Sequence, residues 1–531
     1  MGALTHCELR ARFRAPFQEL PVDILPPILS HLTDRKDWHA CTLVSKTFGR
    51  MATPFLYSTL DSRVISKVSL LFNSDCDLQT KVKRCNAWIR GMAFNEERDA
   101  LAFPKGVWIS PCNLGTPSLY DSPPTTRART LRAVHRGMLL TYPNITRDTL
   151  TALSLCTNLR SMTWIDDISS RTSTGAKLLA FLDVLRTLPV RELTIRTHTD
   201  LGEEVWSQLI TLTGLRKVSI WCMEGPPRVL QGWSGPLGST LTHLELGRCA
   251  GVPPTILITV LSQLPLLKDL RLKGAPATSI PTILTFLPNL ESLDTEYLLS
   301  GSGSYYNQRP RSYRAISLDD DEDDEEPEEP PLPVLRRLTV RTSSMDNLGP
   351  QKLWGWIREL VPRPGLETFR LHAFTFNMGY TGIPRMFILD LAVAHGLTLR
   401  EFIVGDAHLT LKDVECLCSK FPKLETLNCS LASPDVASIV DAISGAKNMQ
   451  TLKLQVNWIP NGGGVATRSS IFKLEDATNM MLRSDDSKLR TISIGHKQYT
   501  GKWVLQESEA GKPGQLKFVV SEDVAEDKWK T

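Results

Sequence analysis

The chain has 531 residues, 42% hydrophobic and 22% charged, which suits several domains or one long repeat array. Its 61 Lys and Arg residues nearly balance 57 Asp and Glu residues, and this argues against a globally basic nucleic-acid-binding protein. Eleven cysteines lie scattered from Cys7 to Cys429 without a CxxC pair, which argues against a zinc module and a secreted disulfide scaffold.

The N-terminus lacks a cationic segment followed by a continuous apolar stretch. The most apolar region, 256–267, is interrupted by polar residues and proline. We therefore expect no membrane span, and a reduced cytoplasmic or nuclear compartment.

The first predicted element is a helical module at 17–60, after a flexible N-terminus at 1–16. Its apolar residues recur at spacings of three, four and seven on both sides of a polar break at 33–36. They are Leu20, Ile24, Leu25, Ile28, Leu29 and Leu32, then Leu43, Val44, Phe48, Met51, Phe55 and Leu56. The pattern predicts two or three short helices, which are too small for a large core and share apolar surface with a neighbour or partner.

This stretch resembles an F-box, the module that attaches a protein to an SCF-type ubiquitin ligase. The matching positions are Leu20-Pro21, Asp23 before Ile24-Leu25, the helix end at 28–32, Asp37 beside Trp38, 43–46 and Phe48. By resemblance, the set that faces the adaptor subunit or forms the module core is Leu20, Pro21, Ile24, Leu25, Ile28, Leu29, Val44 and Phe48. A purely structural helical cap on a repeat domain is the alternative.

The pair Pro26-Pro27 departs from the family pattern, which has unbroken helix at this point. Proline lacks a backbone donor and clashes with the preceding helical turn. We therefore expect an extended or turn segment at 21–25, with Pro27 near the first helical position.

Residues 61–150 are less regular. Segments 87–94 and 130–140 each favour a strand, and we interpret the region as a linker with degenerate first repeats.

From 151 to 495 the chain repeats a short strand pattern: an apolar anchor, then apolar residues three and five positions later. The anchors are Leu159, Val190, Leu215, Leu241, Leu267, Leu290, Leu335, Leu366, Leu399, Leu424, Met449 and Leu489. Nine intervals are 23 to 33 residues, and the other two are 45 and 40. Such a period of about 25 resembles a leucine-rich repeat.

Helical patterns separate these strands. Asp435 is a predicted N-cap, Val436, Ile439, Val440 and Ile443 form an apolar face, and Gly445 follows as a stop. Similar patterns occupy 177–188, 203–212, 255–264, 351–360, 385–395 and 411–421. Strand, helix and strand at this period predict an α/β fold, in which the helical F-box precedes a curved leucine-rich-repeat-like solenoid with a parallel inner sheet.

An insertion at 301–333 lies inside the 45-residue interval. Its segment 319–331, DDDEDDEEPEEPP, predicts a solvated, disordered loop. Docking of a basic partner and phosphorylation at Ser317 are alternatives. Within the C-terminal cap and tail at 496–531, segments 502–506 and 515–520 predict a hairpin that closes the edge of the last repeat.

Alternation along each strand turns the second, fourth and sixth residues after the anchor toward the concave side. The candidate target-binding residues there are Trp221, Arg271, Lys273, Arg337, Arg341, Arg370 and His372. Arg337, Arg341 and Arg370 are suited to bidentate binding of carboxylate or phosphate groups. Ordinary solvated charge is the alternative, and Trp221 is either an anchor for a partner or packs beneath a loop.

The sequence predicts no catalytic site, metal or cofactor. Its ten histidines are dispersed, and Gly462-Gly463-Gly464 lacks the context of a phosphate-binding loop. The combined modules resemble the fungal F-box protein group. That resemblance implies a non-catalytic substrate-recognition subunit of an SCF-type ligase, which binds the adaptor, through it the cullin, and a protein target. The rival hypothesis is a leucine-rich-repeat scaffold outside any ligase, and the interleaved Asp294 and Glu296 disfavour a nucleic-acid binder.

Overall fold

The computed structural model describes residues 25–32, 35–56, 59–61, 91–95, 150, 153–165, 174–198, 200–222, 228–297, 332–342, 350–373, 382–459, 472–506 and 515–524. The chain divides into two compact units, Met1–Gly225 and Pro226–Thr531. The predicted strand at 130–140 and the acidic segment 319–331 lie outside the described residues.

Three helices open the described part of the first unit: α1 Leu25–Ser30, α2 Arg35–Val44 and α3 Lys46–Leu56. Their core contains Leu25, Leu29 and Ala52, each at most 3% exposed. The Trp38 indole Nε1 donates to the Leu29 carbonyl oxygen at 3.0 Å, and its ring lies 6.0 Å from that of Phe55. These contacts tie α2 to both of its neighbours.

The two prolines lie in the first turn of α1, at its second and third residues. Helix initiation there needs no backbone donor from proline, because the first four N–H groups of a helix have no intrahelical acceptor. Leu25 already belongs to α1, so the expected extended segment at 21–25 was wrong at its last residue. Positions 21–24 lie outside the described residues.

The first unit continues with strands β1 Thr59–Asp61, β2 Gly91–Asn95, β3 Ser161–Ile165, β4 Glu192–Thr197 and β5 Lys217–Cys222. They pair in parallel in chain order. Helices α4 Thr174–Leu185 and α5 Gly202–Ile210 connect the last three. The strand predicted at 87–94 is found as β2. Strand β1 was missed, because the helical module was extended to residue 60.

In the second unit, nine parallel strands follow one another in order among the described residues. They are β6 His243–Gly247, β7 Asp269–Leu272, β8 Ser292–Tyr297, β9 Arg337–Thr342, β10 Thr368–Ala373, β11 Glu401–Leu409, β12 Thr426–Ser433, β13 Thr451–Trp458 and β14 Thr491–Ile494. The antiparallel strands β15 Lys497–Gln506 and β16 Gln515–Val524 complete the sheet. They form a longer hairpin than the sequence indicated.

The helices of the second unit are α6 Ser234–Leu237, α7 Pro254–Leu261, α8 Ile280–Thr285, α9 Pro350–Leu360, α10 Arg385–His395, α11 Leu411–Lys420, α12 Val436–Ala442 and α13 Leu474–Met481. A capping box begins α11, where the Thr410 hydroxyl and the Asp413 carboxylate each accept a backbone N–H of the other residue. The predicted alternation of strands and helices is confirmed.

One row of apolar side chains runs through the core of this unit from strand to strand. Residues Leu270, Leu293, Leu338, Phe369 and Phe402 are in register, and each is at most 1% exposed. The rings of Phe369 and Phe402 lie 5.5 Å apart. The row continues across the insertion, so the 45-residue interval does not shift the strand register.

Within the described residues, no helix has both the length and the apolar character that a membrane crossing requires.

One buried histidine links three segments of the second unit. His395, 1% exposed at the end of α10, has its Nε2 3.1 Å from the Val361 carbonyl oxygen, and the Leu366 N–H donates to its Nδ1 at 3.4 Å. This arrangement needs the neutral ring, with the proton on Nε2. Burial lowers the pKa of His395 below its ordinary value of 6.5, and the bond to Val361 opposes this only in part.

We expect the contribution of His395 to stability to be complete above about pH 6.5 and to be lost as the pH falls below that value, because the unfolded chain then binds the proton more readily. His395→Gln should flatten this slope in urea unfolding measured from pH 5 to 8. His395→Ala should lower the free energy of unfolding at pH 7.5 by about 2–4 kcal/mol, through a cavity and two buried polar groups without partners.

The control is His243→Gln, at an exposed histidine of the same unit. An unchanged pH slope in His395→Gln would contradict the assignment of that slope to His395.

Candidate protein-binding surfaces

The predicted F-box residues separate into core and surface positions. Leu25 and Leu29 are 3% and 1% exposed, whereas Ile28 and Val44 are 51% and 66% exposed. Phe48 is half-buried. Leu20, Pro21 and Ile24 lie outside the described residues. Of the described set, Ile28 and Val44 are therefore available to a partner, and Leu25 and Leu29 hold the helices together.

Leu43, 75% exposed, belongs with this surface and was missing from the predicted site. It directly precedes Val44 at the end of α2. Consecutive helical residues point in different directions, so two adjacent apolar residues cover a wide part of the helix surface. The two consecutive apolar residues were the sequence feature that indicated an exposed apolar surface on this helix. We refer to the exposed apolar side chains of Ile28, Leu43 and Val44 together as the helical apolar surface.

In the first unit, Trp221 of β5 lies on the sheet face opposite the buried side chains. It is half-buried, and the Arg196 guanidinium carbon lies 5.4 Å from the centre of its ring. The strand register places the two residues directly opposite each other. A cation over an indole face is attractive, typically by about 0.5–1 kcal/mol at exposed sites. Trp221 therefore packs against a neighbouring strand residue, and its ring remains partly accessible.

In the second unit, the corresponding face of β7 to β11 carries charges that pair with one another. The closest pair joins Arg341 of β9 to Asp294 of β8: Nε donates to Oδ1 at 2.9 Å and Nη2 donates to Oδ2 at 3.0 Å. The two side chains are 22% and 14% exposed. A planar guanidinium suits such a two-point contact. The bidentate group that the sequence offered to a partner is thus bound to a carboxylate of the chain itself.

Around this pair, two neighbours have lowered pKa values. Burial and, next, the positive charge of Arg341 lower the pKa values of both Lys273 and His372. Glu296 accepts the Gly274 backbone N–H at 2.7 Å. Gly274 has a φ of +79°, and a Cβ there would lie 2.8 Å from the Ala250 nitrogen, so a side chain is excluded. The segment that directly follows β7 is therefore fixed against the charged cluster.

Other candidate cations make more exposed contacts. Arg370 donates to Glu401 at 2.9 Å, and Arg271 donates to Asp269 at 3.3 Å. Arg337 is exposed, and no ion pair to it occurs within the described residues. Exposed ion pairs contribute little stability, so a partner can replace them at low cost. Arg271, Arg337 and Arg370 are the accessible positive groups, and Arg341 is a structural one.

The sequence missed the acidic partners Asp269 and Glu401. The sequence signal for them was their position two residues after an anchor, the same position as that of Arg337, and the strand register places all three in one row. In this row the charges alternate in sign on every second strand, because Ser292 of β8 and Thr368 of β10 lie between the charged residues.

Three buried cysteines of the described residues have thiols with raised pKa values. Burial raises the pKa of the Cys156, Cys249 and Cys418 thiols to about 12, where a thiol is a poor nucleophile at neutral pH. In the same part of the chain, no cluster of three or more His, Cys, Asp or Glu side chains is placed to bind a metal ion.

We expect Asp294→Asn to lower the free energy of unfolding by about 2 kcal/mol, because the half-buried Arg341 loses a charge-assisted partner. Arg341→Ala should also lower the stability, and Arg341→Lys should recover only part of that loss, since lysine keeps the charge and not the planar guanidinium. Urea unfolding measures both effects. The control Arg271→Gln breaks an exposed pair and should change stability by less than about 1 kcal/mol; equal losses in all variants would contradict a special role for the pair.

Comparison with known proteins gives one family match. Residues 17–63 match the family model described as F-box-like. No curated protein matches the chain. Among solved structures, the complex of Rad7 and Elc1 in yeast has a TM-score of 0.35 at 13% identity, with 62% of this chain and 79% of that chain covered.

Two further solved structures are similar at a comparable level. For the complex of TLR13 with ssRNA13, the TM-score is 0.29 at 13% identity, and the match covers 79% of this chain and 63% of that one. For a leucine-rich-repeat protein of Leptospira interrogans, the TM-score is 0.24 at 15% identity, with coverages of 58% and 75%. Residues 17–63 are thus similar to the F-box-like family, and the parallel strands and helices described above form a leucine-rich-repeat-like region that follows them in the chain.

Proposed function

We propose that this chain is the substrate-recognition subunit of an SCF-type E3 ubiquitin ligase. The F-box-like domain binds the adaptor subunit and, through it, the cullin. The strand face of the repeat region binds a protein target. The observation that carries this proposal is the F-box-like match at residues 17–63, within which Ile28, Leu43 and Val44 expose apolar side chains.

The helical apolar surface supports adaptor binding on energetic grounds. Burying one large apolar side chain completely contributes about 1.5–3 kcal/mol relative to leaving it exposed. Ile28 is 51% exposed, Leu43 75% and Val44 66%, so a partner that covers them gains several kcal/mol. The buried Leu25 and Leu29 meanwhile keep the helices in place. Docking therefore requires no opening of the module core.

The repeat face supports target binding by its alternating charges. Arg271, Arg337 and Arg370 are exposed; Arg271 donates to Asp269 of its own strand, and Arg370 donates to Glu401 of the next strand. A protein segment with acidic or phosphorylated residues can pair with the arginines, and positions near Asp269 and Glu401 favour basic residues in the same segment. This requirement for a matching order of charges gives selectivity.

The subunit itself performs no chemistry in this proposal. It holds the target near the active subunit of the ligase, and the gain is that of proximity. We place it in the cytoplasm or nucleus, where its free thiols, among them the buried Cys222 and Cys429, remain reduced.

We expect Ile28→Glu and Val44→Glu each to weaken adaptor binding at least about tenfold, because a carboxylate would be desolvated at the interface. The full chain is titrated with the purified adaptor and followed by calorimetry. Both positions are exposed, so thermal unfolding should change little. The matched control is Val393→Glu, at an apolar residue 90% exposed on α10.

Wild-type protein that fails to bind the adaptor would sink the ligase proposal and leave the repeat-scaffold hypothesis. The proposal also fails if the adaptor binds equally well to Ile28→Glu, Val44→Glu and Val393→Glu.

We expect Arg337→Glu and Arg370→Glu to reduce the recovery of targets severalfold in proximity labelling with the ligase inhibited. Exposed charges attract a partner of opposite charge to the surface and fix its register there. Lys412→Glu, on the exposed side of α11, has the same change in charge and should leave recovery unchanged. Equal recovery with all three variants would show that the target binds elsewhere.

A further inference from the structure

With the C-terminal hairpin in place, the sheet of the described residues ends at β16 instead of β14, and β16 is an edge strand. Strand β14 is covered by β15, and β15 by β16, which stands last in the strand order of the described residues. All ten residues of β16 pair with β15 in unbroken register. The outward backbone N–H and C=O groups of such a strand form a template for one more strand.

Among the described residues, this edge lacks two of the usual protections against pairing, namely short length and interruption by a bulge or proline. Natural edge strands are kept short, interrupted by bulges or proline, or lined with charge. Strand β16 has ten residues, no proline and no register shift. Leu516 is 62% exposed and Val519 38%, and on the adjoining strand Trp503 is 54% exposed. Its first half therefore combines an open backbone edge with exposed apolar side chains.

The apolar part of the hairpin is rigid. The Trp503 and Phe518 rings pack edge to face with centroids 5.1 Å apart, and the Arg490 guanidinium carbon lies 5.4 Å from the centre of the Phe518 ring. A strand whose side chains are already ordered loses less conformational freedom when it binds. The edge is thus prepared for a partner strand.

The charges along β16 identify that partner. Lys517 lies near the start of the strand, and Glu522 and Asp523 lie near its end. Positions 517 and 523 are six residues apart and so share one face of the strand. Antiparallel pairing of two identical strands brings each lysine end beside an acidic end, whereas parallel pairing sets lysine beside lysine.

We propose that β16 pairs antiparallel with β16 of a second copy of this chain, across a two-fold axis at Val520, which sets Lys517 of each copy opposite Asp523 of the other. Each favourable contact then occurs twice, as in any isologous interface. The apolar centres of the two strands meet at the axis. A continuous sheet joins the two copies, and no open edge remains at β16.

The test is sedimentation equilibrium of the full chain from about 1 to 100 μM, with thermal unfolding as the check on folding. The expected state is a dimer, its dissociation constant raised roughly tenfold by Lys517→Glu, by Asp523→Lys or by Val519→Lys. Mixing Lys517→Glu with Asp523→Lys should restore association, because both ion pairs re-form in the mixed dimer.

Lys502→Glu is the matched control. Lys502 lies on β15, one strand spacing of about 4.8 Å further from the edge, so this charge reversal should leave the dissociation constant unchanged. A monomer over the whole concentration range would overturn the proposal, since another segment would then cover the edge. A dimer that is insensitive to the edge variants, or paired variants that do not associate on mixing, would overturn it equally.

Discussion

The repeats of the second unit depend on one recurrent backbone contact, in which two consecutive N–H groups share a single carbonyl oxygen of the preceding repeat. Glu291 and Ser292 both donate to the Lys268 oxygen at 2.9 Å, and Arg490 and Thr491 donate to the Gln450 oxygen at 2.9 and 3.0 Å. The same contact crosses the long insertion, from Arg336 and Arg337 to Glu291 at 2.8 and 3.0 Å. It starts each of the strands β7 to β14 at the same position relative to the preceding strand.

That fixed register determines what each face of the sheet contains. Alternation along a strand sends one set of side chains into the core and the other to the opposite face, and register then aligns both sets between strands. Leu293, Leu338 and Phe369 form part of a continuous buried row. On the other face, Asp294 comes within reach of Arg341, 47 residues away in the chain. The buried core and the charged face are therefore consequences of the same backbone contact.

Short and atypical elements were the part of the fold that sequence patterns did not predict. Helices α6 and α8 have four and six residues, too few for a full apolar period to stand out. Strand β1 has three residues and directly follows the helical module. In contrast, the helix predicted at 385–395 is found at Arg385–His395, because three apolar turns fix its phase.

The sequence by itself determined the repeat period, the order of strands and helices and the F-box-like match, because local spacing decides which side of an element is apolar. It also selected Arg341, Arg370 and Trp221 as residues on the strand face. Only the tertiary structure decided that Arg341 is bound to Asp294, that Arg196 lies over Trp221, and that Leu29 is buried while Ile28 is exposed. Those outcomes depend on contacts between residues distant in the chain, which strand register and helix packing set and local spacing does not.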